Sequence, residues 1–366
     1  MSTQSSVSEP GAVNLKHVLE FEKPFVKMEQ EIQRLIGSQA ETGRDYSDVI
    51  GSIREQLTNG LKQAYANLTP AETVQVARHP RRPLLRDYIK MICKDFCEIH
   101  GDRLFWDDKA MVCGFARMGE HRVMLIGHQK GRDTTERIQC NFGCAHPDGY
   151  RKALRAMKLA EKFKVPVVCL VDTPGAFPGL EAEERGIASA IAINLMEMSR
   201  LSTPIVACVI GEGGSGGALG IAVADHVAVM EHAYYSVISP EGCAAILFKN
   251  SDPASCAKAA AMLKLTSKDL RRLNLIDSVV EEPLGGAHRD PQAMAANLVA
   301  WVSRSLKELQ RVKPETLLKR RYEKLRSIGS FFESRPRAVI EVAAPTKPRT
   351  RKTAAGSTRD AVAAEA

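Results

Sequence analysis

Three observations predict an α/β fold built on parallel strands. Short apolar, β-branched runs recur at residues 123–126, 165–171 and 205–210. Each is followed by a glycine-containing loop and then by a stretch of helical periodicity. The runs also start roughly forty residues apart with a helix between them, which suits a crossover between parallel neighbours and not a hairpin. At 366 residues with 44% hydrophobic content, the chain has ample material for a full-sized core.

The elements follow in order. Residues 1–14 are small and polar, with little to bury, and are expected to be unstructured. Residues 15–80 read as helical, with Phe25, Met28, Ile32 and Leu35 at three-to-four spacing. Val49, Ile53, Leu57, Leu61 and Ala64 repeat the pattern, and residues 37–48 form the turn of an antiparallel helical hairpin. Such a hairpin suits docking or dimerisation better than catalysis. His79-Pro80-Arg81-Arg82-Pro83 closes this region, because proline disfavours helix in itself and in the residue before it. A main domain then spans 81–332. Its helices include 150–163, rich in Ala, Lys and Leu, and 181–201, with Ile187, Ile191, Leu195 and Met198 along one face. A last amphipathic helix covers 317–332, and 333–366 is a low-complexity basic tail expected to be disordered.

The charge and the cysteines narrow the class. The net charge is +8, and half of it lies in the stretch from Ser334 to the end, where seven basic residues stand against three acidic ones. A mildly basic body favours anionic metabolites or an acidic partner over nucleic acid. No apolar run approaches the ~18 residues of a membrane span. Residues 1–11 lack the basic and hydrophobic regions of a secretory signal. Nine cysteines scattered through apolar stretches predict free thiols in a reducing, cytoplasmic compartment.

Two segments carry the chemistry. The first, Asp172-Thr173-Pro174-Gly175-Ala176-Phe177-Pro178-Gly179, follows a strand. The second, Gly211-Glu212-Gly213-Gly214-Ser215-Gly216-Gly217-Ala218-Leu219, also follows a strand and opens a small-residue helix. Glycine at such a turn lets backbones approach closely and leaves the first helical N–H groups free, which together with the helix dipole favours an anion. A phosphate loop is a poor match, since no Gly-Lys-Ser/Thr is present. Gly213, Ser215 and Gly217 fit the G-x-S-x-G of a nucleophile elbow, with Asp225 and then His226, His232 or His288 in hydrolase order. An oxyanion hole working through backbone alone fits what remains. Cys93/Cys97 and Cys140/Cys144 have the wrong spacing for zinc, and the first pair is expected on one face of a helix. Cys243 reads as a small buried residue.

Gly127-His128-Gln129-Lys130-Gly131, the two glycine segments, Glu183-Glu184-Arg185-Gly186, residues 235–243 and residues 283–289 together resemble the carboxyltransferase α subunit of bacterial multi-subunit acetyl-CoA carboxylase. The resemblance runs from about Phe21 to Arg326 without large gaps. It implies the crotonase (ClpP-like) fold, a superhelix of ββα units. It further implies transfer of a carboxyl group from N-carboxybiotin, presented by the biotin carboxyl carrier protein, to acetyl-CoA, giving malonyl-CoA for fatty acid synthesis. The implied partners are a zinc-ribbon β subunit in an α2β2 assembly and a biotin carboxylase that consumes ATP, with no metal in this chain. Carried over, the backbone N–H groups of Gly216 and Gly217 hold the oxyanion, and Gly213 and Gly214 shape the turn or share the donation. Gly175, Ala176 and Phe177 line the pocket, and Lys130 and Arg132 meet anionic groups of substrate or partner. A free-standing acyl-CoA hydratase or isomerase of the same fold is the alternative. It would normally place a carboxylate where this chain has Ala218 and Leu219, with Glu212 and Asp225 as poor substitutes.

Overall fold

A computed structural model describes residues 17–329. The expectations for 1–14 and for the basic tail therefore lie outside the described residues. Four helices come first: α1 (Lys23–Thr42), α2 (Ser47–Ala66), α3 (Pro70–Ala77) and α4 (Leu85–Ile92). Three strands follow, β1 (Cys93–Ile99), β2 (Met111–Met118) and β3 (His121–His128), and then α5 (Thr134–Gln139) and α6 (Pro147–Lys162). The centre of the chain holds β4 (Val167–Thr173), α7 (Leu180–Glu184), α8 (Ile187–Arg200), β5 (Ile205–Gly214) and α9 (Ser215–Leu219). After β6 (His226–Met230) and β7 (Tyr234–Ser236) come α10 (Pro240–Phe248), α11 (Pro253–Leu263) and α12 (Ser267–Arg272). The short β8 (Ser278–Val280), α13 (Pro291–Leu309) and α14 (Pro314–Ser327) complete it.

The strands form one sheet in the order β1-β2-β3-β4-β5-β6-β8, with β7 pairing alongside the end of β5. From β3 through β4, β5 and β6 to β8 every pair is parallel. β1, β2 and β3 pair antiparallel; the run 123–126 falls in β3, whereas β1 and β2 were not marked by sequence spacing. β4 and β5 are buried along their whole length, which is why they read as unbroken apolar runs and not as alternating ones. Helices α6, α8 and α13 add Ala153, Ala156, Met157, Ala190, Met198, Leu298 and Val302 to the same core.

The structure corrects several expectations. Cys93 and Cys97 lie on β1, not on a helix. The helical spacing of α4 carries on into these residues, but pairing of Cys93 with Met118 and Cys97 with Phe115 overrides it. That edge strand is interrupted by a bulge between Lys94 and Cys97, with Asp95 at φ 54. The hairpin turn is shorter than residues 37–48, because α1 continues through Gly37 and ends at Gly43, which caps it at φ 66. The helix expected at 181–201 breaks at Gly186 (φ 75) into α7 and α8. Finally, 211–214 is not loop but the end of β5.

The N-terminal helices are tied to the body through Glu22, which accepts from Tyr65 Oη at 2.8 Å and from Arg289 Nε at 3.0 Å. His79 and His288 stack beside it at 4.0 Å. Glu22, His79 and His288 are the one trio of potential metal ligands found among the described residues. Their candidate ligand atoms lie within 4.8 Å of one another, but both His79 nitrogens are already engaged: Nε2 with the His17 carbonyl at 2.8 Å and Nδ1 accepting from Arg81 N at 3.1 Å. With Arg289 against the carboxylate, the trio is a packing hub.

Candidate active site

β4 and β5 run parallel, and both glycine segments emerge at their carboxyl ends, where open α/β sheets expose backbone to ligands. There the two segments press together. A Cβ on Gly214 would lie 2.0 Å from the Pro174 carbonyl oxygen, and one on Gly217 would lie 2.4 Å from both Ala176 N and Gly175 C. Only glycine permits this backbone-on-backbone contact. Gly216 is different: the nearest atom to its absent Cβ is Ile191 Cδ1 at 3.8 Å, so its surroundings are open. Gly213 backs onto the Tyr235 ring. As the first residues of α9, Gly216 and Gly217 have no carbonyl one turn back, and their N–H groups donate to no acceptor among the described residues. Phe177 closes the first segment by stacking on His146 at 4.0 Å and donating its N–H to Ala145 O at 3.0 Å.

Directly behind this contact lies a buried charge network. Lys130 Nζ reaches Asp172 Oδ1 at 2.7 Å and also pairs with Glu212. Glu212 further accepts from Arg78 Nε at 2.5 Å and Tyr234 Oη at 2.5 Å, while its own N–H donates to Asp172 Oδ1 at 2.9 Å. Lys130 therefore staples the β4 end to the β5 end. Arg132 is exposed at the same edge, paired with Asp87 and donating to the Pro80 carbonyl at 2.9 Å. Both cations border a cavity of about 250 Å³ together with Arg78, Phe142 and Pro174. On the other side of α9, Ser215, Gly216 and Leu219 border an apolar groove of about 370 Å³, walled by Tyr235, Val237, Leu270 and Leu325.

Burial alone would raise the Glu212 carboxyl, but Lys130 and Arg78 outweigh it and hold the group at about 2 against the usual 4.5. A carboxylate depressed in the folded state contributes stability that is complete above its unfolded value and is lost as pH falls through the folded one. The wild-type protein is therefore expected to lose unfolding free energy relative to Glu212→Gln as pH falls from about 5 towards 2. Urea titrations of both proteins across that range check this. Parallel pH dependences would show that the pairing contributes nothing.

The same bonds decide between readings of the second segment. Glu212 is ionised and fully engaged, so it is no general acid for a hydratase. Asp225, the acid of the hydrolase pattern, is consumed by Arg321 at 2.7 Å and by Ile205 N at 2.8 Å. His226 pairs towards Glu308, and His288 lies in the Glu22 hub. Ser215 itself takes φ 51 at the strand-to-helix turn, the geometry of an elbow, but none of the described hydrogen bonds links it to a histidine. Sequence spacing pointed to neither Arg78 nor Tyr234, and not to Tyr150 or Asn194, which brace α9 from below.

Comparison with known proteins agrees with the geometry. Residues 18–329 match the family model described as acetyl co-enzyme A carboxylase carboxyltransferase-like. The acetyl-coenzyme A carboxylase carboxyl transferase subunit alpha of Rhodopirellula baltica is 52% identical over 315 residues, covering 86% of this chain and 98% of that one. Its counterpart from Gemmatimonas aurantiaca is 52% identical over 317 residues, with the same coverage. Among solved structures, the transcarboxylase 12S core with methylmalonyl-coenzyme A bound superposes with a TM-score of 0.51 at 22% identity. That match covers 63% of this chain and 43% of the other, and it establishes the shared crotonase-type fold. No described helix is long and apolar enough to cross a membrane. With glycine segments in contact, Glu212 and Asp225 both engaged, and identity above half along nearly the whole of its relatives, the chain belongs to the family of acetyl-CoA carboxylase carboxyltransferase α subunits.

Proposed function

We propose that this chain moves a carboxyl group from N-carboxybiotin, delivered as a substrate on the biotin carboxyl carrier protein, to acetyl-CoA, yielding malonyl-CoA. The observation that carries this is the pair of N–H groups at Gly216 and Gly217 that donate to no acceptor among the described residues, the first in open surroundings and the second within the tight glycine contact. Loss of CO2 from the donor and proton removal from the acetyl group both generate oxyanions. Preorganised backbone donors stabilise such charge without any side chain changing protonation, each contributing about 3–4 kcal/mol. Gly213 and Gly214 shape the turn, and Gly175, Ala176 and Phe177 wall the pocket. Arg132, exposed at the rim of the neighbouring cavity, meets anionic groups of carrier or substrate as these enter, while Lys130, held between Asp172 and Glu212, fixes the ends of β4 and β5 behind the site.

The site is completed by a zinc-ribbon β subunit in an α2β2 assembly, seated over the apolar groove beside Gly216 and supplying most of the acyl-CoA pocket. ATP is used by the separate biotin carboxylase, in the cytoplasm, and this chain requires no metal. The test is malonyl-CoA-dependent carboxylation of biocytin by this chain alone, by its β partner alone and by the mixture. Turnover only in the mixture is expected. Turnover by this chain alone would overturn the shared site, and silence in all three with both proteins folded would overturn the carboxyltransferase reading in favour of a hydratase.

A further inference from the structure

The turn that presents Gly216 and Gly217 is the softest kind of backbone, since glycine imposes almost no barrier on φ and ψ. Two consecutive glycines allow a peptide plane to swing, and a swing would point an N–H group away from the oxyanion. Something outside the turn must hold it. Beneath α9, Tyr150 Oη donates to the Gly217 carbonyl at 3.1 Å, from a side chain with no solvent exposure. Asn194, also buried, donates through Nδ2 to Gly220 O at 3.1 Å and to Tyr150 O at 3.1 Å. Gly220 N in turn donates to Gly216 O at 2.9 Å. The absent Cβ of Gly220 would lie 2.7 Å from the Tyr150 ring, so the ring is seated directly against this turn.

We infer that Tyr150, with Asn194 as its brace, is a positioning residue for carboxyl transfer, fixing the Gly216–Gly217 turn by gripping the Gly217 carbonyl from the core side. In a trans peptide the C=O and N–H point in opposite directions. The Gly216 carbonyl, bonded to Gly220 N, turns the Gly217 N–H of the same peptide the other way, and Tyr150 Oη on the Gly217 carbonyl fixes the next peptide, so the backbone is held on both sides of Gly217. Burial holds the phenol protonated, raising it well above its ordinary value, so it remains a donor at every working pH. The buried His128 ring also faces the Gly217 backbone. Tyr150 makes the well-formed side-chain hydrogen bond to this carbonyl, at 3.1 Å.

This inference rests on the proposed function, and the test separates the two. Tyr150→Phe keeps the ring and removes only the hydroxyl. In the full chain assembled with its β partner, kcat for biocytin carboxylation is expected to fall roughly tenfold, with KM for malonyl-CoA and biocytin within about twofold. Tyr88→Phe is the control: it removes an equally buried hydroxyl, which bonds Met230 Sδ at 3.6 Å and not the turn, and should leave kcat unchanged. Asn194→Leu reads the same turn from the Gly220 side and should lower kcat in the same direction. Amide hydrogen exchange over residues 211–222 gives an activity-independent readout, with exchange expected to be several-fold faster in Tyr150→Phe than in Tyr88→Phe. Wild-type kcat in Tyr150→Phe, equal losses in both tyrosine variants, or unchanged exchange would each overturn the positioning role. An inactive wild-type assembly would instead overturn the carboxyltransferase reading, leaving exchange to decide the role of Tyr150.

Discussion

Gly217→Ala is expected to reduce carboxyl transfer by about two to three orders of magnitude, the loss that follows removal of an oxyanion donor. The added Cβ would fall 2.4 Å from the backbone at Gly175 and Ala176, a contact that no rotamer change relieves. Either the first glycine segment retreats or α9 tilts, and both displace the Gly217 N–H from the oxyanion it is proposed to hold. Gly216→Ala provides the internal contrast. Its Cβ meets only Ile191 Cδ1 at 3.8 Å, so this variant should fold with wild-type thermal stability and lose activity only by crowding the groove. Steady-state kinetics of both variants with the β partner decide the matter. Equal activity losses, or a larger loss at 216, would show that the contact between the two segments is not what sets the donor geometry.

Arg321→Met is expected to destabilise the protein by about 3–5 kcal/mol, the usual consequence of breaking a buried ion pair from one side. Arg321 is fully enclosed and clamps Asp225 through Nε at 2.8 Å and Nη2 at 2.7 Å. Its remaining donors satisfy the carbonyls of Met198, Leu201 and Thr203 at 2.7, 2.8 and 3.0 Å. Removing it strands a buried carboxylate and three carbonyls where α8, the start of β5 and α14 meet. Urea unfolding measures the loss, and Asp225→Asn in the same chain should restore part of it. A loss under about 1 kcal/mol would place Arg321 among pairs whose desolvation cancels their attraction.

The central strands and the helices over them were legible because β4 and β5 are buried on both faces and their residues are almost uniformly apolar. β1 was not, since it is a half-exposed edge whose apolar residues continue the period of α4. α3 was hidden among prolines, although Thr69 and Glu72 form a capping box whose spacing is visible in the sequence. The glycine segments announced themselves, but what braces them did not. Arg78 reaches Glu212 across 134 positions and Tyr150 reaches Gly217 across 67, and no local periodicity encodes a contact of that separation.

The interrupted edge strand β1 has a consequence for how the protein associates. A second chain approaching that edge would find regular pairing on only a few residues to either side of Asp95, flanked by Lys94 and Glu98. A bulge and charges on an outer strand oppose the zipper-like growth that turns sheets into fibrils. Assembly is thereby steered onto side-chain surfaces, where partners are chosen by shape and charge, and away from the indiscriminate hydrogen bonding of backbone to backbone.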